Sequence, residues 1–447
     1  MYKIVRDTSK QAARLLTILV ALLGLVLSPM TALAMNNVDT INVPTTSAAI
    51  TDITAGPNIN DPNEYEDDDF WFTERDANKI GRVTTDSLTV QEYALPTPNA
   101  GPTTIITASD NAVWFVESNV HKIGRSDANG TITEYPISAT AVIVDMTAGP
   151  DGNIWFTDAV NNQVSRMTTA GVITDYAIPT ANAGPNSITA DLKYTYEATE
   201  VWFTETNASK IAKISTETGE ITEYETPVEN AAPTNIAVSY GGGSLYFTEP
   251  SLASIGVISM YDGFISGFTL PDPLSVPDKI ITGNDQAIWF TDLKPGQYRL
   301  GRVDNPSGDR IWEYDMPTTS TMPLEIAVGI ANANVWFVQP GVNTIGRMNI
   351  TSCSINSETE LTVHVNQPFE FTVYSDGTFI YDLSLFFSPN SEISELPEGI
   401  TYTYSGGGSG IISGTPTEDS IGEYQFYFHV QSPSDQNDQL FVLTIAE

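Results

Sequence analysis

An aromatic dipeptide recurs seven times along this chain and constrains its fold more than any other feature. The copies are Trp71-Phe72, Trp114-Phe115, Trp155-Phe156, Trp202-Phe203, Tyr246-Phe247, Trp289-Phe290 and Trp336-Phe337. Successive copies lie 41 to 47 residues apart. This period is typical of a four-stranded propeller blade and is longer than a leucine-rich or ankyrin repeat. The sequence therefore predicts an all-β fold made of seven similar sheets.

Each repeat contains four short strand patterns separated by turn residues, and the third repeat shows them clearly. Apolar residues at 143–146 lead into the turn Gly149-Pro150-Asp151-Gly152, and strand patterns follow at 153–158, 163–167 and 172–176. Proline and glycine stand between these strands because proline cannot donate a hydrogen bond within a sheet. The pattern predicts a seven-bladed β-propeller.

The two ends of the repeat region predict how the ring of blades closes. The seventh repeat has a third strand at 344–348, but no fourth strand pattern follows it. A strand pattern at 38–43 precedes the first inner strand, which spans 50–54. We expect the N-terminal strand to complete the last blade and cover its exposed edge.

The N-terminus predicts export from the cell. An apolar run at 15–27 and the small-residue pattern Ala32-Leu33-Ala34 follow four basic residues, Lys3, Arg6, Lys10 and Arg14. We expect residues 1–34 to be a signal peptide, because the apolar run is shorter than the roughly 20 residues of a spanning helix. The alternative is an uncleaved membrane anchor. The expected product is a secreted or cell-surface monomer with no membrane span, and its lone Cys353 cannot form an internal disulfide.

The charge balance argues against a nucleic-acid partner. The chain has 19 Lys and Arg against 55 Asp and Glu, a formal charge of −36. Phosphate binding needs clustered cations, which this composition does not supply. We interpret the acidity as promoting the solubility of an exported protein.

The repeat ends near residue 351, and the composition then changes. Strand patterns appear at 361–365, 369–374, 424–430 and 441–445. Together with Leu396-Pro397-Glu398-Gly399-Ile400 and Ile412-Ser413-Gly414-Thr415-Pro416, they resemble the immunoglobulin-like (Ig-like) domains of bacterial surface proteins. The predicted domains are therefore a propeller at 35–351 and a small Ig-like β-sandwich at 352–447, which we interpret as a spacer or adhesive unit.

The repeat itself resembles the virginiamycin B lyase, or streptogramin lyase, family over residues 38–350. The segments that carry the resemblance are Asn78-Lys79-Ile80-Gly81-Arg82, Ile132-Thr133-Glu134-Tyr135 and the stretch 149–158. The family opens a cyclic depsipeptide antibiotic by magnesium-dependent elimination. The resemblance places its histidines just after the proline of the sixth and seventh inner strands, and its glutamate at the end of the seventh aromatic strand.

Those positions differ in this chain. Asp278 follows Pro277, Leu324 follows Pro323, and Gln339 stands where the carboxylate is expected. His121 is the one histidine of the propeller, and we interpret it as a solvated loop residue. An elimination needs a base and a Lewis acid, so these replacements predict that the family's mechanism is lost.

A ring of carboxylates is the remaining candidate site. The residues ending the first six aromatic strands are Glu74, Glu117, Asp158, Glu205, Glu249 and Asp292. We favour a structural role, in which they pair with third-strand bases such as Arg82, Arg125 and Arg166. The alternative is a ring that attracts a cation or cationic ligand, with Mg²⁺ or Ca²⁺ as candidates. The acidic run 64–69 is a second candidate of this kind.

Two functions therefore remain. We favour a non-catalytic module that recognises an extracellular ligand, such as a peptide, a glycan or a cell-wall component, because the resemblance lies in scaffold positions. The alternative is a diverged lyase that uses a divalent metal on a streptogramin-like cyclic depsipeptide or an anionic polysaccharide.

Overall fold

The computed structural model describes residues 33–34, 38–57, 69–190, 199–303, 311–316, 322–329, 334–349, 354–355, 359–376, 382–386, 395–406, 409–431 and 436–447. These residues are almost entirely strands and turns, with short 3₁₀ segments at Thr206–Ala208, Pro250–Leu252, Pro340–Val342 and Glu418–Ser420. Within these ranges, no helix has the length and apolar character needed to cross a bilayer. Most of the predicted signal peptide, residues 1–32, lies outside the described residues.

Seven four-stranded antiparallel units, here called blades 1 to 7, occupy the described part of residues 38–349. Blade 1 consists of β3 (Ile50–Gly56), β4 (Asp69–Glu74), β5 (Lys79–Val83) and β6 (Val90–Ala94). Blade 2 consists of β7 (Pro102–Thr107), β8 (Val113–Glu117), β9 (Lys122–Ser126) and β10 (Ile132–Pro136). Blade 3 consists of β11 (Ile143–Ala148), β12 (Ile154–Asp158), β13 (Gln163–Met167) and β14 (Ile173–Ala177). Within each blade the strands follow one another in chain order, as the repeat predicts.

Blades 4 to 6 have the same order, and in blade 7 the N-terminal strand takes the outer position. Blade 4 consists of β15 (Pro185–Ala190), β16 (Glu200–Glu205), β17 (Lys210–Ser215) and β18 (Ile221–Glu225). Blade 5 consists of β19 (Ile236–Val238), β20 (Ser244–Glu249), β21 (Ser254–Ser259) and β22 (Ile265–Thr269). Blade 6 consists of β23 (Pro277–Thr282), β24 (Ile288–Asp292), β25 (Arg299–Val303) and β26 (Ile311–Asp315). Blade 7 consists of β27 (Glu325–Val328), β28 (Asn334–Gln339), β29 (Thr344–Asn349) and β2 (Val38–Asn42). Strand β1 (Leu33–Ala34) adds to β26 in parallel.

The predicted closing strand is confirmed, since β2 pairs antiparallel with β29 and places Thr40 opposite Gly346. The innermost strand of each blade contacts that of the next, and β27 of blade 7 contacts β3 of blade 1. The seven inner strands therefore surround one central channel, which defines a propeller. Asn343 reinforces the closure, because its side chain bonds the backbone of Val43, Thr45 and Ala48.

The repeated residues fill the space between strands in a regular way. In blade 2 the buried Trp114 ring stacks on Tyr135 at 5.3 Å, and the Arg125 guanidinium lies 5.9 Å from the Trp114 centroid. The Phe115 ring covers Gly124, where an added Cβ would lie 2.2 Å from the ring. Corresponding Trp–Tyr and cation–Trp contacts recur in blades 1, 3, 4 and 6. The tryptophan rings of the repeat are the largest fully buried side chains of the propeller core.

The C-terminal region forms two four-stranded sheets that pack around a shared apolar core. Their strands are β30 (Ser354–Ile355), β31 (Glu360–His364), β32 (Phe369–Asp376), β33 (Asp382–Phe386), β34 (Ile400–Gly406), β35 (Ser409–Gly414), β36 (Gly422–Gln431) and β37 (Gln436–Ala446). The predicted Ig-like sandwich is confirmed. Trp312, the one tryptophan outside the repeated dipeptides, contacts the sandwich by packing edge-on against Tyr374 at 5.5 Å.

Candidate functional site

A ring of mostly polar residues lines the central channel, with one member from each inner strand. The residue two positions after the strand-opening proline, or its equivalent, is Asp52, Thr104, Asp145, Ser187, Asn235, Lys279 and Glu325 in blades 1 to 7. We call this set the channel ring. It brings together residues that lie up to 273 positions apart, since Asp52 and Glu325 are close enough to interact electrostatically.

One ammonium group lies among the carboxylates of the channel ring. Lys279 Nζ is 2.8 Å from Glu325 Oε2, and these side chains keep only 29% and 16% of their surface exposed. Burial opposes the charge on Lys279, but Glu325, Asp145 and Asp52 outweigh it and raise the lysine pKa. Burial and repulsion from Glu325 raise the pKa of Asp52 well above its ordinary value, against the attraction of Lys279. The positive charge of Lys279 therefore offsets the electrostatic repulsion among these carboxylates.

Several channel-ring residues also join neighbouring blades. Asp52 of blade 1 accepts the backbone N–H of Ile105 in blade 2 at 2.7 Å. Asp145 of blade 3 accepts the Ser187 hydroxyl of blade 4 at 2.8 Å and the adjacent backbone N–H of Ile188 at 3.0 Å. Such bonds satisfy backbone groups freed by the irregular register at the start of these inner strands.

The three positions that replace the family's reactive groups are engaged in contacts with the scaffold. Asp278 accepts the Asn235 side-chain amide at 3.0 Å, and burial raises its pKa against opposing effects of Lys279 and Asn235. Leu324 packs against the core cluster shared by blades 1 and 7, and its N–H donates to the Val338 carbonyl at 3.1 Å. Gln339 is 3% exposed.

The six strand-end carboxylates are buried, one in each of blades 1 to 6. Asp158 accepts the Asn161 amide at 2.6 Å, and Asp292 accepts the Ser275 hydroxyl at 2.8 Å. Glu249 accepts the Ser254 hydroxyl at 2.6 Å. Glu74, Glu117 and Glu205 have no hydrogen-bond donor in the described part of the chain.

The prediction that third-strand bases pair with these carboxylates is wrong. The antiparallel register places Glu74 opposite Lys79, whereas Arg82 lies opposite Trp71. Arg82 instead approaches Asp69 at 3.3 Å, and Arg125 approaches Asp110 at 2.7 Å. These bases therefore stack on the tryptophan rings and pair with acids at the other end of the blade.

The geometry does not fit the divalent cation that the family resemblance implies. Among the described residues, no three His, Cys, Asp or Glu side chains converge as metal ligands would. The channel ring instead places the Lys279 ammonium beside its carboxylates, and an ammonium repels a second cation. Of the acidic run 64–69, residues 64–68 lie outside the described residues.

His121 occupies a backbone turn, with φ of 52°, between β8 and β9. Asn78 and Asn162 hold the equivalent left-handed position in blades 1 and 3. The structure thus places His121 at a turn outside the channel ring. The channel ring was not predicted from the sequence because its seven members are not of one residue type. Alignment of the inner strands on their opening proline is the signal that would have found it.

Comparison with known proteins gives two family matches. The virginiamycin B lyase family model matches residues 30–196 and 195–384, and an Ig-domain model matches residues 350–446. The solved virginiamycin B lyase from Staphylococcus aureus is 29% identical, with a TM-score of 0.60, and the match covers 69% of this chain and 98% of that one. A streptogramin B lyase structure is 30% identical, with a TM-score of 0.61, over 71% and 99%.

A third solved structure contains a ligand. It is a catalytically inactive virginiamycin B lyase from Staphylococcus aureus with quinupristin, and it is 28% identical with a TM-score of 0.59. That match covers 69% of this chain and 98% of the other. A search of curated proteins gave no significant match.

Proposed function

Since this chain belongs to the virginiamycin B lyase family, we propose that it keeps the family's propeller as a ligand-recognition module without the family's elimination chemistry. The proposed setting is outside the cell, with the signal peptide removed and the Ig-like domain in contact with blade 6 through Trp312. The proposed ligand is a peptide, a glycan or a cell-wall component that binds at the mouth of the channel.

The observation that carries this proposal is the state of Asp278, Leu324 and Gln339. A general base must have a free lone pair directed at the substrate proton. Asp278 is the one carboxylate at these three positions, and its Oδ1 is held by the Asn235 amide, while Leu324 and Gln339 offer no basic group. The neighbouring Lys279 is engaged with Glu325, so the described channel-ring residues offer no unpaired cation to stabilise an enolate.

Incubation of the mature protein with quinupristin and Mg²⁺ tests the loss of chemistry. The expected result is no ring opening by mass spectrometry, with the Staphylococcus aureus lyase as the active control. Ring opening at an enzymatic rate would overturn the proposal. A glycan and peptide array tests recognition separately, and we expect at least one ligand class to bind. Absence of binding across broad peptide, glycan and cell-wall classes would contradict the recognition role.

A diverged lyase remains a second candidate because Lys279 and Asp52 place two titratable groups in one channel. An anionic polysaccharide and a streptogramin-type lactone are its proposed substrates. If this candidate is correct, elimination products will form. Lys279→Met will abolish these products, whereas Lys279→Arg will retain them because it keeps the charge. Absence of products from both substrate classes would refute it.

A further inference from the structure

Blades 1, 2 and 4 repeat one partly buried set of four side chains that the recognition role does not use. Each set has a glutamate ending the second strand, a lysine opposite it, a glutamate on the fourth strand and a threonine in the linker entering the blade. In that order, the set of blade 1 is Glu74, Lys79, Glu92 and Thr45. The set of blade 2 is Glu117, Lys122, Glu134 and Thr97. The set of blade 4 is Glu205, Lys210, Glu223 and Thr180.

The fourth-strand glutamate is fully supplied with donors, as blade 2 shows. Glu134 accepts Lys122 Nζ at 2.6 Å, the Thr97 backbone N–H at 2.9 Å and the Thr97 hydroxyl at 2.6 Å. Burial opposes its charge, but these bonds outweigh burial and lower the pKa of Glu134. Glu92 and Glu223 have the same three kinds of donor. All three are therefore ionised carboxylates that hold a linker in place.

The second-strand glutamate has the opposite environment. Glu74, Glu117 and Glu205 are 0% exposed, and both carboxyl oxygens of each lack a donor among the described residues. In blade 2, Gly124 lies between Phe115 and Glu134, and an added Cβ there would lie 2.9 Å from Glu117 Oε1. This small residue leaves room for the two carboxyl groups to meet. Two ionised carboxylates only accept, so they cannot bond each other unless one carries a proton.

We propose that Glu74, Glu117 and Glu205 are protonated in the folded protein and donate hydrogen bonds to Glu92, Glu134 and Glu223. Each shared proton joins the second strand of a blade to the glutamate that holds the incoming linker. The proton stays on the buried partner because the other partner already receives a lysine and two threonine donors.

The electrostatics agree with this arrangement. Burial first, and then the facing glutamate, raise the pKa of Glu74 and Glu117 to about 7 and that of Glu205 to about 8. The charged groups facing each acid are that glutamate and the blade's lysine, Lys79, Lys122 or Lys210, which acts in the lowering direction. Glu225 also acts on Lys210.

The sign of the pH dependence follows directly. The ordinary glutamate pKa is 4.5, so between that value and about 7 the folded protein holds a proton that the unfolded chain has released. The stability from these pairs is complete at acidic pH and is lost as pH rises. Each glutamate lowers the folding equilibrium constant about tenfold per pH unit within its window.

Blade 3 supplies a matched control. Asp158 occupies the same strand end but accepts the Val142 N–H at 3.1 Å and the Asn161 amide at 2.6 Å. Both of its oxygens accept hydrogen bonds from donors, unlike those of Glu74, Glu117 and Glu205. Replacement of Asp158 by asparagine should lower the free energy of unfolding at every pH. The new side-chain NH₂ group would face the hydrogen-bond donors that the carboxylate accepts.

The test is denaturant unfolding of the full mature protein from pH 5 to pH 9. Glutamine donates an amide N–H permanently, so Glu117→Gln should keep wild-type stability at pH 5 and exceed it at pH 9. Combining Glu74→Gln, Glu117→Gln and Glu205→Gln should flatten the slope further, whereas Asp158→Asn should leave the slope unchanged. A wild-type slope in the glutamine variants would overturn the proposal.

An infrared measurement on the unmodified protein keeps the proposal testable if the combined variant does not fold. The carbonyl band of a protonated carboxylic acid should be present at pH 6 and should disappear by pH 9. The single glutamine variants should each remove part of that band. A spectrum at pH 6 with ionised carboxylates alone would equally refute the proposal.

Discussion

Replacing Lys279 with methionine tests the electrostatics of the channel ring most directly. The substitution keeps an apolar stem and removes the ammonium that lies 2.8 Å from Glu325. Glu325, Asp52 and Asp145 would then face one another without a cation. Removing one partner of a buried ion pair costs about 3–5 kcal/mol, and the partly accessible channel places this case near about 3 kcal/mol. This cost corresponds to about a hundredfold loss in the folding equilibrium constant.

The expected loss depends on pH in a defined direction. Burial already raises the pKa values of Asp52 and Glu325 above those of the unfolded chain, and loss of Lys279 raises them further. Acids with raised pKa values destabilise the fold progressively as pH rises. Lys279→Met should therefore lose little stability at pH 4 and lose most at pH 8.

The assay is urea unfolding followed by tryptophan fluorescence. All seven tryptophans precede residue 337, so the signal reports mainly the propeller, and Trp312 also senses its contact with Tyr374 of the Ig-like domain. Lys279→Arg is the charge-preserving control, and adding Glu325→Gln to Lys279→Met should restore part of the loss. Equal stability of wild type and Lys279→Met at pH 8 would refute the reasoning, as would a double variant no better than the single one.

Two further predictions concern the scaffold. Deleting residues 38–43 exposes the edge of β29 and removes Ile41 and Val43 from the core. The free energy of unfolding should fall by at least about 3 kcal/mol, and the unfolding temperature should fall with it. An unchanged unfolding temperature would mean that another segment closes the ring. Gly124→Ala places a Cβ 2.2 Å from the Phe115 ring, so urea unfolding should show a loss of about 1–3 kcal/mol, and wild-type stability would contradict this packing.

The sequence predicted the sheets well because the repeat lies in residues with fixed packing roles. Tryptophan, phenylalanine, glycine and tyrosine occupy corresponding positions in most blades, so their spacing reports the strands directly. Blade 5 departs from this pattern, since Tyr246 replaces the tryptophan and Val257 replaces the base. It still forms four strands because pairing and burial remain.

The sequence predicted the site less well because strand register cannot be read from spacing alone. Glu74 and Arg82 are strand residues of opposite charge, which suggested a pair, but the tight turn between β4 and β5 sets Lys79 opposite Glu74. The channel ring was hidden for a different reason. Its ion pair joins Lys279 to Glu325, and only closure of the inner strands around an axis brings Asp52 to the same place.

The two polar systems of the propeller explain how the scaffold can persist while the channel changes. The outer system, exemplified by Thr97 and Glu134, fixes the linkers that enter blades 1, 2 and 4 through contacts away from the channel. The inner system includes a pair, Lys279 and Glu325, that joins neighbouring blades by charge. A blade held from its linker side tolerates substitution at the channel position, provided that the charges there remain balanced. Under the proposed recognition role, ligand specificity can therefore change at the channel without altering the residues that form the blades.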